Sequence, residues 1–240
     1  MNAPTPQTVD LYQFELCPYC HKVKAGLEVK GIPYRKIEVN PMGKKELPAD
    51  LPEDAPKKVP VIKVGGELRY DSPVILRFLE EAYPDTRSLT PTDEAAKEKS
   101  DMVEKWVDDE VCYALPTVIY GTWGEAAKAA QVTARTSNFG FFQNMTVRAG
   151  GSLIMHQISK RILKKKGRTD GHAWVNETVD QFEEWLGKQP FVTGDEISLG
   201  DVAMHGALTC VKDFPIFSKI MARPLTKAWY DRVSAMRQRA

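Results

Sequence analysis

The stretch LYQFELCPYCHK, Leu11 to Lys22, constrains what this chain can fold into more than any other. The apolar run around Val9 to Leu16, with its β-branched and aromatic residues, reads as a strand. Cys17 then opens a turn. Pro18 stands where a first helical turn tolerates proline, because the missing N–H would be unpaired there anyway. Val23 and Leu27, four apart, give the helix an apolar face, with Lys22, Lys24 and Lys30 expected to point elsewhere. Gly31 ends that helix and Pro33 prevents its resumption. Cys17 is therefore expected at a helix N-terminus, where free N–H groups and the macrodipole favour negative charge. A thiol there has its pKa lowered into a range of roughly 3.5–7.5 and acts as a nucleophile near neutral pH. Cys20, one turn later, lies on the same side and can resolve a mixed disulfide.

The Cys-x-x-Cys spacing admits other readings. Two structural cysteines could fall here, although a proline between them, directly after a strand, is unusual for that. A zinc site needs two more ligands, and Cys112, Cys210 and the four histidines show no paired spacing. Cys-x-x-Cys-His is also the attachment pattern of c-type haem, a chemistry of exported proteins. Met1 to Gln7 is short, polar and twice interrupted by proline, which is no export signal. The redox dithiol is the reading that uses every feature of the stretch, and no metal site is expected.

At 240 residues the chain has room for one large domain or two small ones. Residues 1–88 carry 13 basic and 13 acidic side chains and the remainder 20 and 19, so no face is forced to meet nucleic acid. Apolar runs are too short for a membrane span. Four cysteines, two of them isolated, fit a reducing cytosol, and a cytoplasmic location is expected.

Tyr34 to Val39 alternates as a second strand, completing a parallel βαβ unit. From Gly43 to Lys58 the chain is polar and proline-rich, predicting one short helix and then loop. Residues 59–64, a Gly65-Gly66 turn and residues 67–70 predict a β-hairpin. Ser72 is expected as the N-cap of the next helix and Pro73 as its first residue, with Ile75, Phe78, Leu79 and Ala82 on one stripe. This order predicts a thioredoxin-like domain over residues 1–88.

From Lys97 onward no strand pattern appears, which predicts an all-helical domain over 89–240. Val103, Trp106, Val107, Val111 and Ala114 make a helical face that stops at Pro116. Segment 120–150 predicts a helix with broken ends. Ser152 to Lys166 is helical with a basic end (KRILKKKGR), read as charge meeting a helix C-terminus rather than a membrane or phosphate patch. Val175 to Leu186 marks another helix. Ser198 and Asp201 form a capping box opening a buried helix, on which His205 reads as a packed core residue. A last helix near Lys227 to Arg237 turns Trp229 and Val233 inward.

The Cys-Pro-Tyr-Cys motif, the Val-Pro strand start, the Asp-Ser helix cap and the Ser-x-x-Asp box together resemble the glutathione transferase superfamily. The first 30 residues are also similar to glutaredoxins. LYQFELCPYCHKVKAGL, IEVNP, KKVPVI, DSPVI, EKWVDDE, ISKRILKKK and PFVTGDEISLGDVAMHG resemble the soluble part of the membrane-associated prostaglandin E synthase type 2 family. By that resemblance Cys17 matches the catalytic thiol, Cys20 the second thiol, and Tyr19 a position beside bound glutathione. Val59 matches the residue whose backbone pairs with the cysteinyl unit, and Pro60 a cis-proline. Asp71 and Ser72 match the pair that holds the γ-glutamyl group.

Where the synthase family has a tyrosine, three residues before the first cysteine, this chain has Phe14, and no membrane-anchoring segment like that family's is expected here. The function implied is a glutathione-dependent transferase or thiol-disulfide oxidoreductase acting on a small electrophilic or disulfide substrate, in a homodimer. The alternatives are an endoperoxide isomerase and a non-catalytic protein that binds glutathione or haem. Tyr113, Tyr120 and Phe139 are candidates to line the acceptor pocket.

Overall fold

The computed structural model describes residues 8–136 and 141–237, with side chains outside 141–152. The N-terminal part runs β1 (Val9–Gln13), α1 (Pro18–Lys30), β2 (Tyr34–Glu38), β3 (Val61–Val64), β4 (Glu67–Tyr70) and α2 (Ser72–Ala82). Its four strands are ordered β2-β1-β3-β4. β1 and β2 pair in parallel, Leu11 opposite Lys36, as a βαβ unit requires. β3 joins antiparallel with Leu11 opposite Ile62, and the Gly65-Gly66 turn folds β4 back on it. Val9 and Leu11 on β1, Val23 and Leu27 on α1, Ile62 on β3 and Ile75 and Leu79 on α2 form one buried cluster. Both helices therefore cover the same face of the sheet, in a thioredoxin-like arrangement.

The regular elements of the C-terminal part are helices: α3 (Glu94–Trp106), a π-helical turn (Val107–Val111), α4 (Cys112–Ile119), α5 (Trp123–Thr136), α6 (Phe141–Lys165), α7 (Gly171–Leu186), α8 (Leu199–Thr209), α9 (Pro215–Met221) and α10 (Pro224–Met236), with one isolated bridge between Phe191 and Gly194 in the loop before α8. The capping box forms: the Ser198 N–H and hydroxyl both donate to Asp201 Oδ2, at 3.1 and 2.8 Å. Asp201 Oδ1 accepts from the Val192 N–H and from Trp229 Nε1, so this wholly buried carboxylate ties α8 to α10. His205, Trp229 and Val233 are buried as expected. None of the described helices is long and apolar enough to cross a membrane.

Four expectations need correction. Lys22, Lys24 and Lys30 do not point into solvent; they are 0, 5 and 6% exposed. The sheet covers one side of α1 and α8 the other, so both stripes are interior. α8 comes close enough that a Cβ on Gly206 would meet the His21 carbonyl oxygen at 2.5 Å and Lys22 Cα at 2.6 Å. Each buried ammonium has carboxylate partners: Lys22 pairs with Glu104 and Asp108, Lys24 with Glu15, Lys30 with Glu80. Second, no helix forms between Gly43 and Lys58. Pro48, Pro52 and Pro56 accept through their carbonyls from Leu51, Ala55 and Lys58, and the segment is a succession of turns.

Third, α2 begins one residue early. Asp71 is the cap residue and Ser72 the first helical one, and neither side chain caps the helix. Fourth, Pro116 lies inside α4, which continues to Ile119. Leu115, Val118 and Ile119 are completely buried, and that packing outweighs the local cost of the proline. Segment 120–150 divides into α5 and the start of α6, and Phe139 lies outside the described residues.

Lys22 supplies the central cation of a buried cluster. Burial pulls its ammonium down, but Asp108 and Glu104 together hold it above the ordinary lysine range. Removing one partner from such a cluster leaves uncompensated charge in the interior. Lys22→Met is expected to lower stability by about 3–5 kcal/mol in urea unfolding followed by tryptophan fluorescence. An unchanged midpoint would show that Glu104 and Asp108 need no buried cation.

Candidate functional site

Cys17 is the cap residue of α1, half-buried, with extended backbone angles (φ −102°, ψ 111°). Its carbonyl accepts the Cys20 and His21 N–H groups, opening the helix, and its thiol lies 3.9 Å from the Val59 carbonyl oxygen. The Cys20 thiol donates to it, and with the Cys20 and Tyr19 backbone N–H groups and Lys24 this outweighs burial, so the Cys17 pKa is lowered. Cys20 is pushed the other way by burial and by its bond to Cys17. The two neighbouring thiols are therefore shifted in opposite directions, Cys17 down and Cys20 up. Cys112 and Cys210, both buried in the helical core, are also pushed well above the ordinary thiol value. All four cysteines are free.

A groove with two lobes opens beside Cys17. The polar lobe, about 630 Å³, is lined by Tyr19, Val59, Pro60, Asp71 and Ser72 from the N-terminal part and by Asp108, Asp109 and Tyr113 from the helical part. The apolar lobe, about 310 Å³, takes Phe14, Leu16 and Cys17 together with Pro41, Leu47 and Lys57. Tyr19, Lys58, Val59, Cys112 and Pro116 line both, so the lobes adjoin. Of the residues singled out in the sequence, Tyr19, Val59, Pro60, Asp71 and Ser72 share the polar lobe and Cys17 borders the apolar one. Cys20 lines neither; it lies behind Cys17, fully buried.

Local geometry in the polar lobe is unusual. The Val59–Pro60 peptide bond is cis. Asp71 has φ +73°, a region that costs a non-glycine residue free energy and that recurs at ligand sites. Ser72 is 1% exposed, yet its hydroxyl has no partner among the described residues. A buried, unpaired hydroxyl costs free energy unless something else meets it.

On the helical wall of the groove only Tyr113 was singled out from the sequence; Asp108 and Asp109 were not. Tyr19 donates its hydroxyl to the Asp108 carbonyl at 3.2 Å, while the Asp108 side chain takes Lys22 from behind. Burial raises the Asp108 pKa against the pull of Lys22, and the Glu104 and Asp71 carboxylates add to the rise. The available signal was the pair Asp108-Asp109 within an otherwise apolar helical face. Of the candidates for the acceptor pocket, Tyr113 lines the polar lobe rather than the apolar one, and Tyr120 belongs to the buried core.

Comparison with known proteins places these features in one family. Residues 11–87 match the glutathione S-transferase N-terminal domain, and residues 153–236 its C-terminal domain. The chain is 26% identical to prostaglandin E synthase 2 of Danio rerio, across 98% of this chain and 72% of that protein. It is 23% identical to the protein LigF of Sphingobium, across 95% and 90%. Among solved structures, glutathione S-transferase III in its apo form superposes with a TM-score of 0.65, covering 95% of this chain and 92% of that one at 19% identity. The β-etherase LigF superposes at 0.56, covering 94% and 99% at 22% identity. With both family domains matched in order, and with the fold shared along the whole chain, this protein belongs to the glutathione S-transferase superfamily.

Proposed function

We propose that the chain is a glutathione-dependent thiol transferase or thiol-disulfide oxidoreductase, with Cys17 as nucleophile and Cys20 as resolving thiol. The observation that carries this reading is the lowered Cys17 thiol at a helix start, opening on a groove with a polar and an apolar lobe. Glutathione suits the polar lobe. The Val59 backbone offers an extended edge for the cysteinyl unit. The orphaned Ser72 hydroxyl, at the start of α2, suits the γ-glutamyl carboxylate, and Asp71 and Asp108 together suit its ammonium.

Chemistry follows from the thiol assignments. The Cys17 thiolate attacks the glutathionyl sulfur of a mixed disulfide; the S–S bond breaks and the substrate leaves as a thiolate that takes a proton from water. A second glutathione thiolate then attacks the glutathionyl sulfur on Cys17, releasing glutathione disulfide and restoring the Cys17 thiolate. Alternatively Cys20, on losing its proton, attacks the Cys17 sulfur and expels glutathione, leaving a Cys17–Cys20 disulfide that two further glutathiones reduce, with release of glutathione disulfide. The apolar lobe receives the body of the disulfide or electrophilic substrate.

A second reading, isomerisation of an endoperoxide, is favoured by the chain-long likeness to prostaglandin E synthase 2. Against it, Phe14 brings a ring without a hydroxyl to the apolar lobe. A haem-binding form would declare itself by a Soret band in the purified protein.

Replacing Cys17 by Ser is expected to abolish reduction of a glutathione mixed disulfide. Cys20→Ser should leave that reaction largely intact, because free glutathione takes over the resolving step. The reverse result would reassign the nucleophile. Alkylation by iodoacetamide, mapped by mass spectrometry against pH, should label Cys17 with a midpoint below about 8.5, the ordinary thiol value. Cys112 and Cys210 should stay slow, since their thiols are pushed up. First labelling at Cys20 would sink the assignment. Asp71→Asn keeps the shape and removes the charge, and calorimetric titration with glutathione should show binding weaker by about 1.5–3 kcal/mol. Unchanged affinity would move the γ-glutamyl group elsewhere.

A further inference from the structure

A second cavity, of about 500 Å³, lies away from the Cys17 groove, between the edge strand β2 and the end of α10. Glu15 and residues of α1, Lys24 and Glu28, form its floor. Tyr34 and Lys36 of β2 make one wall; His205 and Thr209 of α8, Lys212, and Tyr230, Ser234 and Arg237 of the last helical segment make the other. Its size falls within the usual range for small-molecule sites, about 300–1,000 Å³.

The charges in this cleft are unbalanced. Lys24, Lys36, Lys212 and Arg237 face only two carboxylates, Glu15 and Glu28. Both carboxylates are already engaged from within the fold. Glu28 accepts from the Tyr34 hydroxyl on one oxygen and from Arg237 Nε on the other, each at 2.6 Å. Glu15 takes Lys24 at 3.3 Å and Gln13 at 3.2 Å. Glu38, next along the same face of β2, is drawn to Gln13 and to the Glu15 N–H rather than to Lys36. That leaves Lys36 and Lys212, both exposed, with no partner among the described residues.

Arg237 is built in rather than loose. Its Nη1 donates to His205 Nδ1 and to the Thr209 hydroxyl, both at 3.1 Å, and its side chain is 12% exposed. His205 in turn meets the Ser234 hydroxyl at 2.8 Å and stacks on Tyr230 at 4.1 Å. Burial and Arg237 keep the His205 imidazole neutral, so it orients the guanidinium without repelling it. The second guanidinium edge, through Nη2, has no partner among the described residues. A fixed guanidinium edge and two ammonium groups that line one cavity, each without a partner among the described residues, are complementary to doubly charged oxyanions.

We infer that this cleft between β2 and α10 binds a small dianion, a phosphate monoester or a dicarboxylate, at a site separate from the thiol groove. The cavity left beyond the charged groups takes the organic body of the ligand between Tyr34 and Tyr230. The test is calorimetric titration of the full chain with inorganic phosphate and with succinate, each against sodium chloride at equal ionic strength. Saturable binding of either dianion, at one per chain, is expected, and the tighter of the two identifies which oxyanion the cleft prefers. In the Lys36→Ala/Lys212→Ala variant, whose changes are on the surface, that binding should weaken by about tenfold or more while glutathione binding stays as in the parent. Heats no different from sodium chloride for both anions, or equal dianion affinity in parent and variant, would overturn the inference.

Discussion

The architecture depends on the contact of α8 against α1. A thioredoxin-like sheet with two helices on one face leaves the outer side of α1 open, and α8 closes it. The approach is set by Gly206, where no side chain beyond hydrogen would fit against the backbone at His21 and Lys22. Gly26 of α1 is tight in a softer way, since a Cβ there would meet the Leu76 side-chain tip of α2 at 2.5 Å and Val202 of α8 at 3.8 Å. Because α1 carries Cys17 at its start, this packing holds the reactive helix terminus between a sheet and a helical body. Its position is then a property of the whole chain rather than of a loop.

Burying α1 on both sides takes its lysines inside, and their partners explain much of the remaining geometry. Lys22 reaches Glu104 on α3 and Asp108 in the π-helical turn. The wider turn alters the phase of the helix between α3 and α4, a device often found near functional sites. It presents the Asp108 carbonyl to Tyr19 and the Asp108 carboxylate to both Lys22 and the groove. Lys30 does a comparable job at the far end of α1. It joins Glu80 of α2 and the Arg87 carbonyl, while Glu80 also collects the Leu89 and Thr90 N–H groups of the connecting segment.

These relations mark how far the sequence could be read. The βαβ unit, the hairpin, the capping box at Ser198 and the cap at Gly31 were legible because each is fixed by neighbours within a few positions. On the groove's N-terminal side Cys17 was legible from its place before a proline-started helix, whereas the site roles of Val59-Pro60 and Asp71-Ser72 entered only through the family resemblance. Lys22 was misread because its partners are 82 and 86 positions away, and local periodicity carries no sign of them. Pro116 was misread because local propensity predicts a stop there, while the burial of Leu115, Val118 and Ile119 decides otherwise. Asp108 was missed on the helical wall because it reaches the groove only through the π-helical turn.

The same distinction between local and global causes divides the two thiols. Cys17 and Cys20 are three positions apart on one helix, and their helical phase alone makes them nearly equivalent. The helix terminus favours Cys17, which has the Tyr19 and Cys20 N–H groups within reach. Tertiary packing then acts on Cys20, which lies wholly buried and is pushed up by that burial. By donating to Cys17, Cys20 favours the charged form of its neighbour and draws that pKa down. Burial of the second cysteine therefore strengthens the charge on the first. The direction of the pair is set jointly by a proline-started helix, legible in the sequence, and by the helical body packed against it, which is not.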